Sequence, residues 1–148
     1  MTLPAIDGKT HINIYSKGDT ELGRFLSNFA HIHIITEDGD FQSVEGYWYW
    51  LSNHDDRMRA LYGYEAKKMG RTLPRPHKLS EEEFRRKIRE ACWIKLHTDK
   101  RMLNVFKEST LQFTHFYVFN GYNKDAGFKW LVDIWEYFRF FINNGYRR

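Results

Sequence analysis

Glu45 is the residue whose type and position best suit chemistry in this chain. It comes two residues after Ser43, and serine commonly caps the start of a helix. An aromatic run over residues 47–50 follows it. The free N–H groups of a first helical turn favour a charged carboxylate, which could act as a base or stabilise a developing positive charge. A glutamate here also helps a helix begin without any chemical role. Spacing alone favours that simpler interpretation.

Two basic positions could hold an anion such as a phosphate. Lys95 lies on the apolar stripe of a predicted helix, where its ammonium either reaches the solvent rim or binds a buried anion; the first outcome is the commoner. Gly70 and Arg71 combine a flexible step with a forked donor, which suits a pyrophosphate as well as it suits a helix C-terminus. The sequence leaves these alternatives open.

Two further segments could contact a ligand. The step Ser27-Asn28-Phe29 is typical of a turn, and its amide could bond to the backbone or to a ligand. Residues 116–124 carry aromatic rings that either face a nucleotide or cap the core. The sequence contains no phosphate-binding loop, dinucleotide fingerprint, nucleophile elbow or zinc signature.

The elements that must position these residues are mainly helical. One helix begins at Ser43, and a second covers residues 57–70, stopped by Gly70 and the Pro74-Arg75-Pro76 loop. A third opens with the capping box of residues 80–83. The last helix covers residues 127–142. Its predicted buried face consists of Leu131, Ile134, Trp135, Phe138 and Ile142.

Residues 11–15 and 31–35 alternate polar and apolar side chains and predict a small N-terminal β element. Alternation places His31 and His33 on its outer face, so we expect no metal site there. The predicted fold class is therefore mainly α (α+β), in a single domain over residues 1–148 with a core over residues 12–142.

Composition narrows the class of protein. Hydrophobic residues make up 42% and charged residues 28%, a globular balance, and the net charge of +4 favours anionic partners only mildly. The lone Cys92 is expected to be a small buried group, and neither a signal peptide nor a membrane span is apparent. We expect a cytoplasmic protein.

In their order along the chain, these motifs resemble the NADAR superfamily of YbiA-like proteins. The resemblance covers residues 12–139 and begins with the strand at residues 12–16 and the Leu-Ser-Asn-Phe step at residues 26–29. The Ser-x-Glu helix start at residues 43–45 follows. The remaining matches are Gly70-Arg71, the late lysine Lys95 and a closing helix at residues 130–136.

This resemblance implies a YbiA-like fold and an N-glycosidase that hydrolyses a bond to an ADP-ribose-like group, including ADP-ribose on guanine in DNA or nucleotides. Glu45 would be the catalytic carboxylate, with no metal and no cofactor. The partner would be an ADP-ribose-like ligand or ADP-ribosylated nucleic acid. The substrate-binding residues would be Ser27, Asn28, Phe29, Trp48, Gly70, Arg71 and Lys95.

The chain departs from the family at three places. Gly46 stands where histidine commonly follows the glutamate, residues 51–53 lack a lysine usual there, and residues 121–127 do not match the family's tryptophan- and glycine-rich loop. Such divergence suits a viral or mobile-element protein, which would act in the host cytoplasm; this origin is a hypothesis. The alternatives to an enzyme are a module that binds ADP-ribose or modified nucleic acid without turnover, and an aromatic-rich interaction protein without a ligand.

Overall fold

The computed structural model describes residues 6–119 and 122–145. The chain divides into two compact units, one formed by residues 28–99 and the other by residues 1–27 together with 100–148. The single domain predicted over residues 1–148 stays a prediction. No helix in the described part of the chain is both long enough and apolar enough to cross a membrane.

The unit of residues 28–99 combines a β-hairpin with three helices. Strands β2 (Ile34–Thr36) and β3 (Gly39–Phe41) pair antiparallel, with Ile34 opposite Phe41 and both side chains fully buried. The helices are α2 (Val44–Asn53), α3 (Gly63–Thr72) and α4 (Glu81–Leu96), and a short 3-10 helix (Asp56–Ala60) joins α2 to α3.

Side-chain caps set where two of these helices begin. The Ser43 hydroxyl accepts a hydrogen bond from the Gly46 N–H at 2.9 Å, and the Ser80 hydroxyl accepts one from the Glu83 N–H at 3.1 Å. Each cap satisfies a donor that the first helical turn would otherwise leave without a partner. Both helix starts that the sequence predicted at serine are therefore confirmed.

The other unit holds β1 (His11–Asn13) and α1 (Glu21–Leu26), followed by α5 (Lys100–Glu108) and β4 (Gln112–Thr114). Strand β1 pairs with β4 in parallel. A hairpin of β5 (Phe116–Phe119) and β6 (Tyr122–Asp125) precedes α6 (Lys129–Asn143). All five residues predicted as the buried face of α6 are buried.

The mainly helical α+β fold class is confirmed, with two corrections to its elements. First, β structure is not confined to the N-terminal part, because the aromatic segment 116–124 pairs with itself as β5 and β6. Second, the helix predicted over residues 57–70 is two elements, and α3 runs past Gly70 to Thr72. The helix does not end at Gly70. It ends at Leu73, whose backbone is extended because a proline follows it.

Candidate active site

Glu45 lies in the first turn of α2, and the nearby backbone donors are already engaged. Its own N–H donates to the carbonyl of Asn28 at 3.0 Å, and the next N–H, that of Gly46, donates to the Ser43 hydroxyl. These donors therefore anchor the helix start to the chain before it. They are not available to a carboxylate or to a ligand.

The Glu45 side chain is buried, with 9% of its surface exposed. Burial raises the pKa of its carboxyl to about 7, against the opposing charges of Lys67 and Arg71. The expectation that the helix N-terminus would favour the charged form is therefore wrong in direction. Desolvation outweighs a helix terminus whose donors are used elsewhere, so both protonation states of Glu45 are populated near neutral pH.

Small residues on α3 let it approach α2 closely beneath this carboxylate. Ala66 and Gly70, one turn apart, are both buried and face α2. A Cβ at position 70 would lie 2.1 Å from the Cγ of Tyr49, so the tyrosine ring rests directly on the glycine backbone. Gly70 is thus required by packing rather than by flexibility.

The two cations that act on Glu45 come from the adjoining face of α3. Lys67 and Arg71 are four residues apart and therefore share one side of the helix. Lys67 is half-buried, with its ammonium 6.0 Å from the centre of the Phe29 ring. Arg71 is exposed, and its charge acts on the Tyr49 hydroxyl as well as on Glu45. The site is a buried carboxylate with a cationic rim.

Lys67 is the site residue whose individual role sequence reasoning missed. It belongs to a run of basic residues at the end of the predicted helix, a feature that the helix dipole alone explains. Its four-residue spacing from Arg71 was the available signal. That signal needed the helix to continue through Gly70, where the sequence predicted a stop.

The step at residues 27–29 contributes mainly through its backbone. The Asn28 carbonyl accepts from Glu45, and the Phe29 carbonyl accepts from the Gly63 N–H at 3.1 Å, so this step anchors the first turns of both α2 and α3. The side chains of Asn28 and Phe29 are half-buried. Ser27 is buried in the other unit, where it forms the C-cap of α1.

Trp48 and Lys95 occupy packed positions. The Trp48 ring is half-buried and meets Phe84 of α4 edge-on, with ring centres 4.7 Å apart. Lys95 has 0% of its surface exposed, so its ammonium does not reach the rim as the commoner alternative predicted. Burial lowers the pKa of Lys95 to about 8 and raises that of the neighbouring Cys92 thiol to about 12. Cys92 is therefore the small buried group that the sequence predicted.

The 3-10 helix accounts for the glycine that departs from the family pattern. A Cβ on Gly46 would lie 2.6 Å from the carbonyl oxygen of Met58 and 3.1 Å from that of Leu61. Backbone atoms cannot swing aside as a side-chain tip can. Histidine after the glutamate is therefore incompatible with this local fold.

Among residues 6–119 and 122–145, no group of three or more histidine, cysteine, aspartate or glutamate side chains is arranged to hold a metal ion. The alternating His31 and His33 are exposed, as the sequence predicted. His31 instead stacks on Tyr62, with ring centres 3.9 Å apart and planes 3° from parallel.

Comparison with known proteins shows the fold. No protein-family model matches this chain, and no curated protein matches it by sequence. The NMR structure of the Escherichia coli protein YbiA is similar to it, with a TM-score of 0.68 and 18% sequence identity over 96% of this chain and 93% of YbiA. The chain therefore has a YbiA-like α+β fold.

Proposed function

We propose that this protein is a NADAR-type N-glycosidase that hydrolyses the bond between a nitrogen atom and the anomeric carbon of an ADP-ribose-like group. The observation that carries the proposal is the Glu45 carboxyl, buried to 9% exposure and bordered by the cations Lys67 and Arg71. The resemblance of the sequence motifs and the YbiA-like fold support it independently.

The residue types suit each part of this reaction. Cleaving the C–N bond leaves positive charge on the ribose, and a fixed carboxylate beside the anomeric carbon stabilises that charge. The Glu45 carboxylate accepts a proton from water as the water oxygen bonds to the carbon, and it then passes that proton to the departing nitrogen. The products are ADP-ribose and the unmodified base, with its N–H restored. Lys67 and Arg71 would bind the pyrophosphate and orient the sugar.

The direct test is ADP-ribose release from a DNA oligonucleotide that carries ADP-ribose on guanine, with the corresponding modified free nucleotide as a second substrate. We expect ADP-ribose to be released from at least one of the two substrates, and chromatography measures the release. A folded protein that binds ADP-ribose but releases none from either substrate would support the binding module instead. A melting temperature that ADP-ribose leaves unchanged would contradict both.

The cationic rim predicts the pH dependence. Because Lys67 and Arg71 both favour the charged carboxylate, replacing either with methionine should raise the pKa of Glu45 above about 7, more so for Lys67, whose effect is the larger. The low-pH limb of kcat/KM, which requires the carboxylate, should therefore move to higher pH.

A carboxyl carbon NMR titration of Glu45 measures the same shift without turnover. Lys68→Met is the matched control, since it removes a lysine from the same helix that is not among the charges shifting Glu45. An equal shift in the Lys68 variant would mean that net charge, rather than these two side chains, sets the pKa.

A further inference from the structure

We infer that the outer side of α3 and the loop after it bind a single polynucleotide strand. This α3 basic surface is defined by four cations and two aromatic rings. Its members are Tyr62, Tyr64, Lys68, Arg71, Arg75 and Lys78. The inference rests on the proposed function for what the strand carries, but the surface can be tested without it.

Charge is concentrated in this segment to an unusual degree. Residues 61–79 contain five lysines and arginines against one glutamate, an excess of +4 that equals the net charge of the whole chain. The rest of the chain is therefore balanced. A stripe of one sign attracts a polyanion more strongly than the same charge spread over the surface.

The cations of this surface differ from those of α4 in their partners. On α4, Arg85, Arg86 and Lys87 each form an ion pair with a carboxylate of the protein. Across the residues that the structure describes, the four cations of the α3 basic surface have no carboxylate within 4.0 Å, and all four are exposed. Cations held apart from internal carboxylates can bind phosphates without first breaking an ion pair.

Exposed rings on the same side of α3 supply a second kind of contact. Tyr64 has 66% of its surface exposed, and Tyr62, stacked on His31, has 47% exposed. Rings presented beside phosphate-binding cations are the arrangement on which unpaired bases stack. An anionic membrane would require large aliphatic side chains among the cations, and among the described residues of this segment Leu79 is the only exposed large aliphatic one.

The surface is continuous with the Glu45 site. Arg71 belongs to the surface and to the site. The charges of Arg71, Arg75 and Glu45 all shift the pKa of the Tyr49 hydroxyl. A single strand fits better than a duplex, because its unpaired bases can stack on the exposed rings of Tyr62 and Tyr64.

The test is fluorescence anisotropy with a labelled, unmodified twelve-nucleotide strand, in wild type and in the triple variant Lys68→Ala, Arg75→Ala, Lys78→Ala. We expect at least a roughly tenfold loss of affinity and a salt slope lower by about 2, from three lost phosphate contacts on a single strand. Tyr64→Ala should weaken binding while leaving the slope unchanged, because a stacking contact releases no counterions.

The matched control removes three exposed lysines elsewhere, as Lys9→Ala, Lys17→Ala, Lys107→Ala. An equal loss of affinity in this control would overturn the inference in favour of net charge. Tighter binding to vesicles containing phosphatidylserine than to the strand, lost in the same triple variant, would overturn it in favour of a membrane. Strand binding without release of ADP-ribose would reject the proposed function alone, whereas release from the free nucleotide without strand binding would reject the surface alone.

Discussion

Glu45→Gln is expected to abolish turnover while making the protein more stable above pH 7. Glutamine keeps the size and shape of the side chain but can neither take a proton from water nor stabilise a positive charge as a carboxylate does. Loss of a general base at a reacting carbon lowers kcat by roughly 10²–10⁴-fold. Because both residues fill the same buried volume, we expect binding of ADP-ribose to change much less.

The stability gain follows from the raised pKa of Glu45. Since its folded-state pKa of about 7 lies above the value of an unfolded glutamate, its contribution to stability is complete below about pH 4 and is lost as the pH rises through 7. At pH 8 the buried charge costs on the order of 1–3 kcal/mol, which the neutral amide does not. The melting temperature of the variant should exceed that of wild type at pH 8 and approach it at pH 5.

Glu45→Gln lowers the rate while raising the melting temperature at pH 8 only if the Glu45 carboxylate has a chemical rather than a structural role. Glu65→Gln, on the exposed part of α3, is the control and should change neither. A Glu45→Gln variant that is less stable than wild type at pH 8 would identify the carboxylate as a structural partner. Unchanged turnover in a folded variant would place the chemistry at another residue.

How much of this site could be predicted from the sequence depended on the range of each interaction. Ser43 as a cap and Glu45 in the first turn follow from local preferences, so both were predicted correctly. The pKa of Glu45 was not, because it depends on burial and on the charges of Lys67 and Arg71, which spacing around Glu45 cannot reveal. Lys95 likewise needed the tertiary structure to show that its ammonium stays inside.

The same distinction applies to the fold. The α6 face and the start of α4 follow a 3.6-residue period and were predicted closely. The pairing of β1 with β4 joins residues about a hundred positions apart, which no local pattern encodes.

Two differences from the NADAR pattern that the sequence resembles have a local explanation on α2 and α3. Gly46 is enforced by the carbonyl of Met58, so the space of the family's histidine is filled by the 3-10 helix. Residues 51–53 of α2 lack the lysine that is usual in the NADAR pattern. Lys67 of α3 supplies a positive charge that acts on Glu45.

Gly70→Ala should destabilise the protein by about 2 kcal/mol, although helix propensity alone predicts the opposite. Alanine in a helix interior is favoured over glycine by about 1 kcal/mol. The added Cβ would, however, lie 2.1 Å from the root of the Tyr49 ring, which cannot move without separating α2 from α3. Overpacking of this kind costs about 1–3 kcal/mol and often more, so the steric term prevails. Urea unfolding measures the difference.

The same methyl group should reduce activity, because α2 carries Glu45 while α3 carries the cations that act on it. A double-mutant cycle with Tyr49→Ala isolates the contact: removing the ring should make Gly70→Ala neutral or stabilising, with a coupling energy of about 1–3 kcal/mol. Lys68→Ala, an exposed change on the same helix, is the control and should stay within about 0.5 kcal/mol. Stabilisation of the wild-type background by Gly70→Ala would contradict this prediction. The close approach of α2 and α3 would then not be what holds the carboxylate beside its cations. The site would instead depend on the carbonyls of Asn28 and Phe29, which anchor the two helices.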